Sequence, residues 1–268
     1  MKALIDGDII VYAVAGSCEG NQWSYKGSIY TSKTELNEVL KQDGTNEDSV
    51  IFSKVPEPWE SCRKSVMSYI EGITDPIDSP YQVYLSGASN FRYQTASILP
   101  YKGNRSTIER PFHYDNVRQF LVEVYNASIS SGIEADDAIG LDHDPEKTII
   151  ATLDKDLNCI PGVHYNWVKK TCKWITEVEA NRSFYSQVLT GDPTDNILGL
   201  YGIGPKSACV KSLSLPGSER DMFNIVAGEY KCRFGSYWRQ FMLENCELLW
   251  ILQQREPMWR EYFEKEEI

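Results

Sequence analysis

Two short apolar runs that each end in an aspartate constrain this chain more than any other feature. Lys2-Ala-Leu-Ile-Asp6 and Lys147-Thr-Ile-Ile-Ala-Thr-Leu-Asp154 read as buried strands, the second strongly β-branched as central strands are. Between them the period changes to that of helices. Trp59, Cys62, Val66, Tyr69, Ile70 and Ile73 recur at spacings of three and four behind Pro58, the pattern of an amphipathic helix. Residues 114–125 and 134–141 read as further helices, and 82–85 as another core strand. Strands alternating with helices predict an α/β fold, a mostly parallel sheet flanked by helices. In such sheets a ligand sits beyond the carboxyl ends of the strands, where Asp6 and Asp154 fall.

The remaining segments are shorter. Residues 9–15 read as a helical turn, and 34–41 as a short helix. Hairpins are expected at 22–31, around Lys26-Gly27, and at 163–175, around Lys169-Lys170-Thr171. Residues 44–48 are a polar loop and 100–111 a basic one. From residue 177 helical periodicity dominates, with a helix expected over 205–213. The chain therefore divides into residues 1–176 and residues 177–268.

Four acid clusters lie on this frame: Asp6-Gly-Asp8, Glu134-Ala-Asp136-Asp137, Asp154-Lys-Asp156 and Asp192-Pro-Thr-Asp195. Each alone reads better as helix-dipole compensation, a cap or a turn than as part of a site. Four in this order, two directly after core strands, point to one site in which cations neutralise the repulsion. Two hard ions ~4 Å apart, held by carboxylate oxygens, suit hydrolysis of a phosphodiester. Seven scattered cysteines without a Cys-x-x-Cys pair, and three histidines without ligand-like spacing, argue against disulfides and zinc.

Two further features bear on phosphate. Gly199-Leu-Tyr-Gly202-Ile203-Gly204-Pro-Lys206 is a glycine turn ahead of a helix, which presents backbone N–H groups to an anion, although it also suits a plain helix connection. Tyr101-Lys102-Gly-Asn-Arg105, with Arg92 before it and Arg110 and Arg118 after it, offers charge for a phosphate and an aromatic for a base; its other reading is a solvated basic loop. The net charge of −11 disfavours a general nucleic-acid binder, so the clustering of bases near the acids matters more than their number. No apolar run reaches the ~18 residues of a membrane span, and a cytoplasmic protein is expected.

In combination these motifs, with Asn90-Phe91-Arg92, resemble the 5′-nuclease superfamily of flap endonucleases and 5′→3′ exonucleases, most of all its phage-encoded members. The resemblance covers residues 2 to about 213. It implies a PIN-like core, a helix–three-turn–helix element of helix-hairpin-helix type, and cleavage near the 5′ ends of duplex or flap DNA by two Mg²⁺ or Mn²⁺ ions. Activity on RNA–DNA hybrids and a monomeric state are part of the expectation. Position by position, it implies Asp6, Glu134 and Asp136 at the first metal and Asp154, Asp156, Asp192 and Asp195 at the second, with Asp137 behind them. Lys102 and Arg105 match contacts to the scissile phosphate, and Tyr101 a stacking aromatic. Arg92, Gly202, Gly204 and Lys206 match DNA contacts, with a potassium ion at the glycine turn.

The sequence departs from the family pattern in one place. Members usually carry an aspartate after the strand preceding Asn-Phe-Arg, whereas this chain has Leu85-Ser-Gly87-Ala-Ser. The departure implies a first metal held through water, bound more weakly, or supported by Asp8. It motivates a second reading, a structure-specific DNA-binding protein with weakened or lost nuclease activity. The stretch between Arg105 and Glu134 is short for the family's threading arch, so a reduced arch lined by Arg110 and Arg118 is expected. The aromatic-rich segment 218–268 reads as helical packing with a solvated acidic end.

Overall fold

Alternation along the strands determines how the layers stack. In the computed structural model, which describes residues 1–105, 108–215 and 217–265, the central sheet runs in the order β6 (Ser128–Ile129), β5 (Tyr81–Leu85), β1 (Lys2–Asp6), β7 (Thr148–Ala151), β8 (Gly162–Asn166) and β9 (Thr171–Ile175). Every pairing is parallel except the final hairpin, β8 against β9. The mostly parallel sheet expected from the sequence is therefore present.

Ala3 and Ile5 of β1, Val83 and Leu85 of β5 and Ala151 of β7 point to one face. There they meet α1 (Gly7–Ser17), α3 (Trp59–Thr74) and α5 (Tyr114–Tyr125). The intervening Leu4, Tyr84 and Ile150 point to the other face. That face is covered by α6 (Ala135–Asp142), α7 (Glu177–Thr190), α9 (Glu219–Phe234), α10 (Trp238–Leu249) and α11 (Met258–Lys265). Each fully buried aliphatic in these layers contributes about 1.5–3 kcal/mol. The helical C-terminal part thus shares one apolar core with the sheet.

The remaining elements are small. A second sheet, β3 (Ser28–Tyr30), β2 (Glu19–Tyr25) and β4 (Ile51–Pro56), packs Tyr25 on Leu36 and Leu40 of α2 (Lys33–Gln42). The hairpin at 22–31 is present, with Lys26 and Gly27 both at positive φ, as a tight primed turn requires. The helical turn expected over 9–15 is a full helix, because Asp6 accepts the N–H of Ile9 and caps it. The helix expected over 205–213 is shorter, α8 (Ala208–Ser212), because Ser207 in extended backbone delays its start. A short helix, α4 (Arg92–Thr95), and a two-residue pair, β10 (Gly191–Asp192) with β11 (Ile197–Leu198), complete the fold. Residues 106–107 of the expected basic loop and 266–268 of the acidic end lie outside the described residues. No described helix is long and apolar enough to cross a membrane.

Candidate active site

Parallel strands deliver their C-terminal ends to one edge, and three of them bring acid or its support there. Asp6 ends β1, buried, accepting from the N–H of Ile9 (3.4 Å) and the hydroxyl of Thr152 (3.1 Å). Asp154 and Asp156 follow β7 in a turn where Thr152 Oγ1 accepts the N–H of Asp154 and Asp154 Oδ1 accepts that of Asp156. Glu134 caps α6, and Asp136 lies in its first turn. Asp192 is buried in β10 with Oδ1 on the N–H of Thr194.

Burial and mutual repulsion raise several of these acids together. Burial first, then repulsion from Asp8 and Asp154, pushes Asp6 up to about 7. Asp136 is raised well above the carboxylate range by burial and then by Asp6, Asp154, Glu134 and Asp8. Burial, Asp154 and Asp192 push Asp156 up to about 7. The clusters near residues 6, 134, 154 and 192 therefore form one region of negative potential. Asp136 has no hydrogen-bond partner among the described residues. Such a donor set, all oxygen and mutually repelling, fits hard divalent cations. As placed, no three of the described side chains close round a common point as the ligands of one ion do.

The basic loop folds over this region. Lys102, at positive φ, sets its ammonium 2.5 Å from Glu134 Oε1 and 3.7 Å from Asp195. Burial opposes that charge, but Glu134 and Asp195 outweigh it and raise the lysine's pKa. Arg105 donates to Asp195 (2.5 Å) and to the carbonyl of Thr194 (3.0 Å), and Asn104 to that of Pro193. Asp195 is thus the anchor of the loop. Burial still raises it, against the pull of Lys102, Tyr101 and Arg105.

Two sequence expectations, those for Tyr101 and Arg92, are corrected by this geometry. Tyr101, expected as a base-stacking surface, is only 4% exposed, and its hydroxyl, with one proton to share, lies between Glu134 (2.8 Å) and Asp195 (2.6 Å). Burial and then those two acids raise it, so it remains a phenol and serves as a donor. Arg92, expected at DNA, is 3% exposed and forks onto Asp137 at 2.6 and 2.8 Å, with the carbonyls of Leu248 and Trp250 completing its shell. Asp137, expected behind the metal ligands, is fully buried. Its oxygens are taken by Arg92 and by the N–H groups of Glu134 and Leu252. A buried guanidinium without its carboxylate is strongly unfavourable, so this pair is structural.

Gly87 has its own explanation. A Cβ there would stand 2.2 Å from the carbonyl oxygen of Ser130, so no side chain fits. The adjacent space is instead filled by Asp8, which accepts from the N–H of Ser86 (3.1 Å) and from Arg118 (3.1 Å). Arg118 also donates to the carbonyl of Ser86, and Arg110 lies over the ring of Tyr114. At the glycine turn Gly202 has positive φ, the N–H of Gly204 is bound to Ser207 Oγ, Lys206 is exposed, and Tyr201 is 98% exposed.

Two contributors were not expected in the site. Gln187 of α7 donates to Asp156 (2.5 Å), and Asn90 to Glu134 (3.0 Å). Asn90 stands in the Asn-Phe-Arg motif but was not expected in the site. Gln187 is one polar residue in a helix, and only packing reveals its role.

No family model and no curated protein matches the chain. Among solved structures it is similar to a variant of the T5 5′-exonuclease (TM-score 0.49, 14% identity, 92% of this chain and 86% of that one). It is also similar to a bacteriophage T5 flap endonuclease in a pseudo-enzyme-product complex with DNA and metal ions (TM-score 0.47, 15% identity, 92% and 98%). A third is the T5 5′-exonuclease with divalent zinc ions bound (TM-score 0.46, 17% identity, 93% and 89%).

Proposed function

We propose that the chain is a divalent-metal-dependent 5′→3′ exonuclease and flap endonuclease that hydrolyses phosphodiesters near the 5′ ends of duplex or flap DNA. One observation carries the reading: acids from residues 6 to 192, on elements far apart in sequence, repel one another at the carboxyl edge of a parallel sheet beneath a loop bearing Lys102 and Arg105.

Asp6, Asp136 and Glu134 are the residues to hold one Mg²⁺ or Mn²⁺, and Asp154, Asp156 and Asp192 the other, with Asp195 serving through the loop it anchors. When bound, such ions supply an activated water and stabilise the leaving oxygen. The protein's own residues do the rest. The ammonium of Lys102 and the guanidinium of Arg105 take the charge of the scissile phosphate. Tyr101 holds Glu134 and Asp195 in register. Asp8 and Arg118 support the end of β5, where the family places another acid. The Gly202–Gly204 turn and Lys206 track the duplex backbone, with a potassium ion there as part of the proposal.

The test is cleavage of 5′-labelled duplex, flap and RNA–DNA hybrid substrates with Mg²⁺, with Mn²⁺ and with chelator. Metal-dependent release from the 5′ end is expected. Binding without cleavage under both metals would instead favour the structure-specific binding protein that Gly87 motivates.

A further inference from the structure

Helix α10 reaches the root of the basic loop through a single carboxylate that no sequence motif marks. Glu244 is 7% exposed, and its Oε1 accepts the N–H groups of both Ser97 and Ile98 at 2.9 Å. Its Oε2 accepts the hydroxyl of Ser97. These donors lie just past the end of α4, in a segment outside any strand ladder, so a lost acceptor leaves backbone N–H groups unpaired. Two residues beyond them begins Pro100-Tyr101-Lys102, whose far end is fixed on Asp195. Glu244 fixes the near end. Its neighbour Asn245 donates to the carbonyl of Leu198 (2.7 Å), in the strand between Asp195 and the glycine turn.

Resting on the functional reading above, we propose that Glu244 is a positioning residue for cleavage. It holds the stem of the Tyr101–Arg105 loop so that Lys102 and Arg105 stand over the carboxylates. It acts through those residues and does not touch the substrate.

The experiment combines kinetics with amide hydrogen exchange on the full chain. Glu244→Ala should slow single-turnover cleavage by about tenfold or more, the scale on which small misplacements act. The dissociation constant for DNA in chelator should stay within about twofold. Glu244→Gln, which keeps one oxygen for the two N–H groups, should recover most of the rate. In a Lys102→Ala background, Glu244→Ala should cost less than in the wild type, because part of its effect runs through Lys102. Amides 97–105 should exchange faster in Glu244→Ala than in the wild type.

Effects of Glu244→Ala and Lys102→Ala that multiply, or equal exchange at 97–105, would overturn the proposal. If Glu244→Ala does not fold, Glu244→Asp, whose carboxylate is one methylene too short to keep the same contacts, carries the same cycle and the same exchange comparison. A wild-type chain that cleaves none of the substrates would end the functional reading, while the exchange measurement would still decide whether Glu244 holds the loop.

Discussion

At the residue scale, the chemistry concentrates on side chains whose neighbours disfavour their charge, which is where function is expected. Asp154 repels Asp6, Asp136 and Asp156 and accepts only one backbone N–H. Asp154→Ala should reduce cleavage by about 10²-fold or more while binding in chelator changes only a few-fold; a wild-type rate would remove Asp154 from the site. Lys102→Ala should slow single-turnover cleavage by about 10²-fold, and an unchanged rate would count against its role at the phosphate. Gly87 invites the opposite experiment. Gly87→Asp, which supplies the acid that the resembled superfamily carries at this place, should not tighten metal binding, because its Cβ would collide with the carbonyl of Ser130. It should destabilise the fold by about 1–3 kcal/mol, as overpacking does. A variant melting like the wild type with tighter Mn²⁺ binding would show that the edge of β5 can give way.

At the element scale, β1, β5, β7 and the β8–β9 hairpin were legible, and the shorter strands and the direction of individual side chains were not. Short apolar runs, the second rich in β-branched residues, define β1 and β7 without tertiary help, and an acid after a strand marks which edge of the sheet is chemical. β4 was not foreseen, because Ile51–Pro56 is almost wholly exposed and is a strand only through its pairing with β2. Tyr101 and Arg92 looked like ligands for DNA because sequence shows residue type but not direction. Both turn inward to acids that the fold supplies from other elements. β8 carries a pH response of its own. His164 Nε2–H donates to the carbonyl of Ile160 (2.8 Å), while its buried Nδ1 has no partner among the described residues, and burial lowers its pKa to about 4. An unfolded histidine titrates near 6.5, so above that pH both states are neutral and nothing is lost. As pH falls from about 6.5 to about 4 the unfolded chain takes a proton that the native one refuses. Stability then drops by up to ~3 kcal/mol from this group. The raised carboxylates act in the opposite sense over the same range, so the comparison must be with His164→Gln. Urea unfolding at pH 7.5 and pH 5 should show the variant losing less stability than the wild type, and parallel losses would refute the assignment.

At the scale of the whole molecule, a chain of net charge −11 gathers at least six acids where a sheet would otherwise bury apolar side chains. Without cations this arrangement costs stability, and strain held at a site is a mark of function rather than of poor folding. Two consequences follow for one variant. Asp136 has no hydrogen-bond partner among the described residues and is repelled by four acids, so Asp136→Asn removes repulsion and almost nothing else. In chelator it should melt above the wild type. Mg²⁺ at about a hundred times its dissociation constant should stabilise the wild type by ~2.7 kcal/mol through mass action. For a chain of this size that corresponds to a rise of roughly 5 °C or more. The same Mg²⁺ should raise the variant much less, and its cleavage should be lost. Thermal melts of both proteins, with Mg²⁺ and with chelator, give the four values needed. If Asp136→Asn melts below the wild type in chelator, or gains as much from Mg²⁺, the acids are not a cation cage, and the nuclease reading loses the observation that carries it.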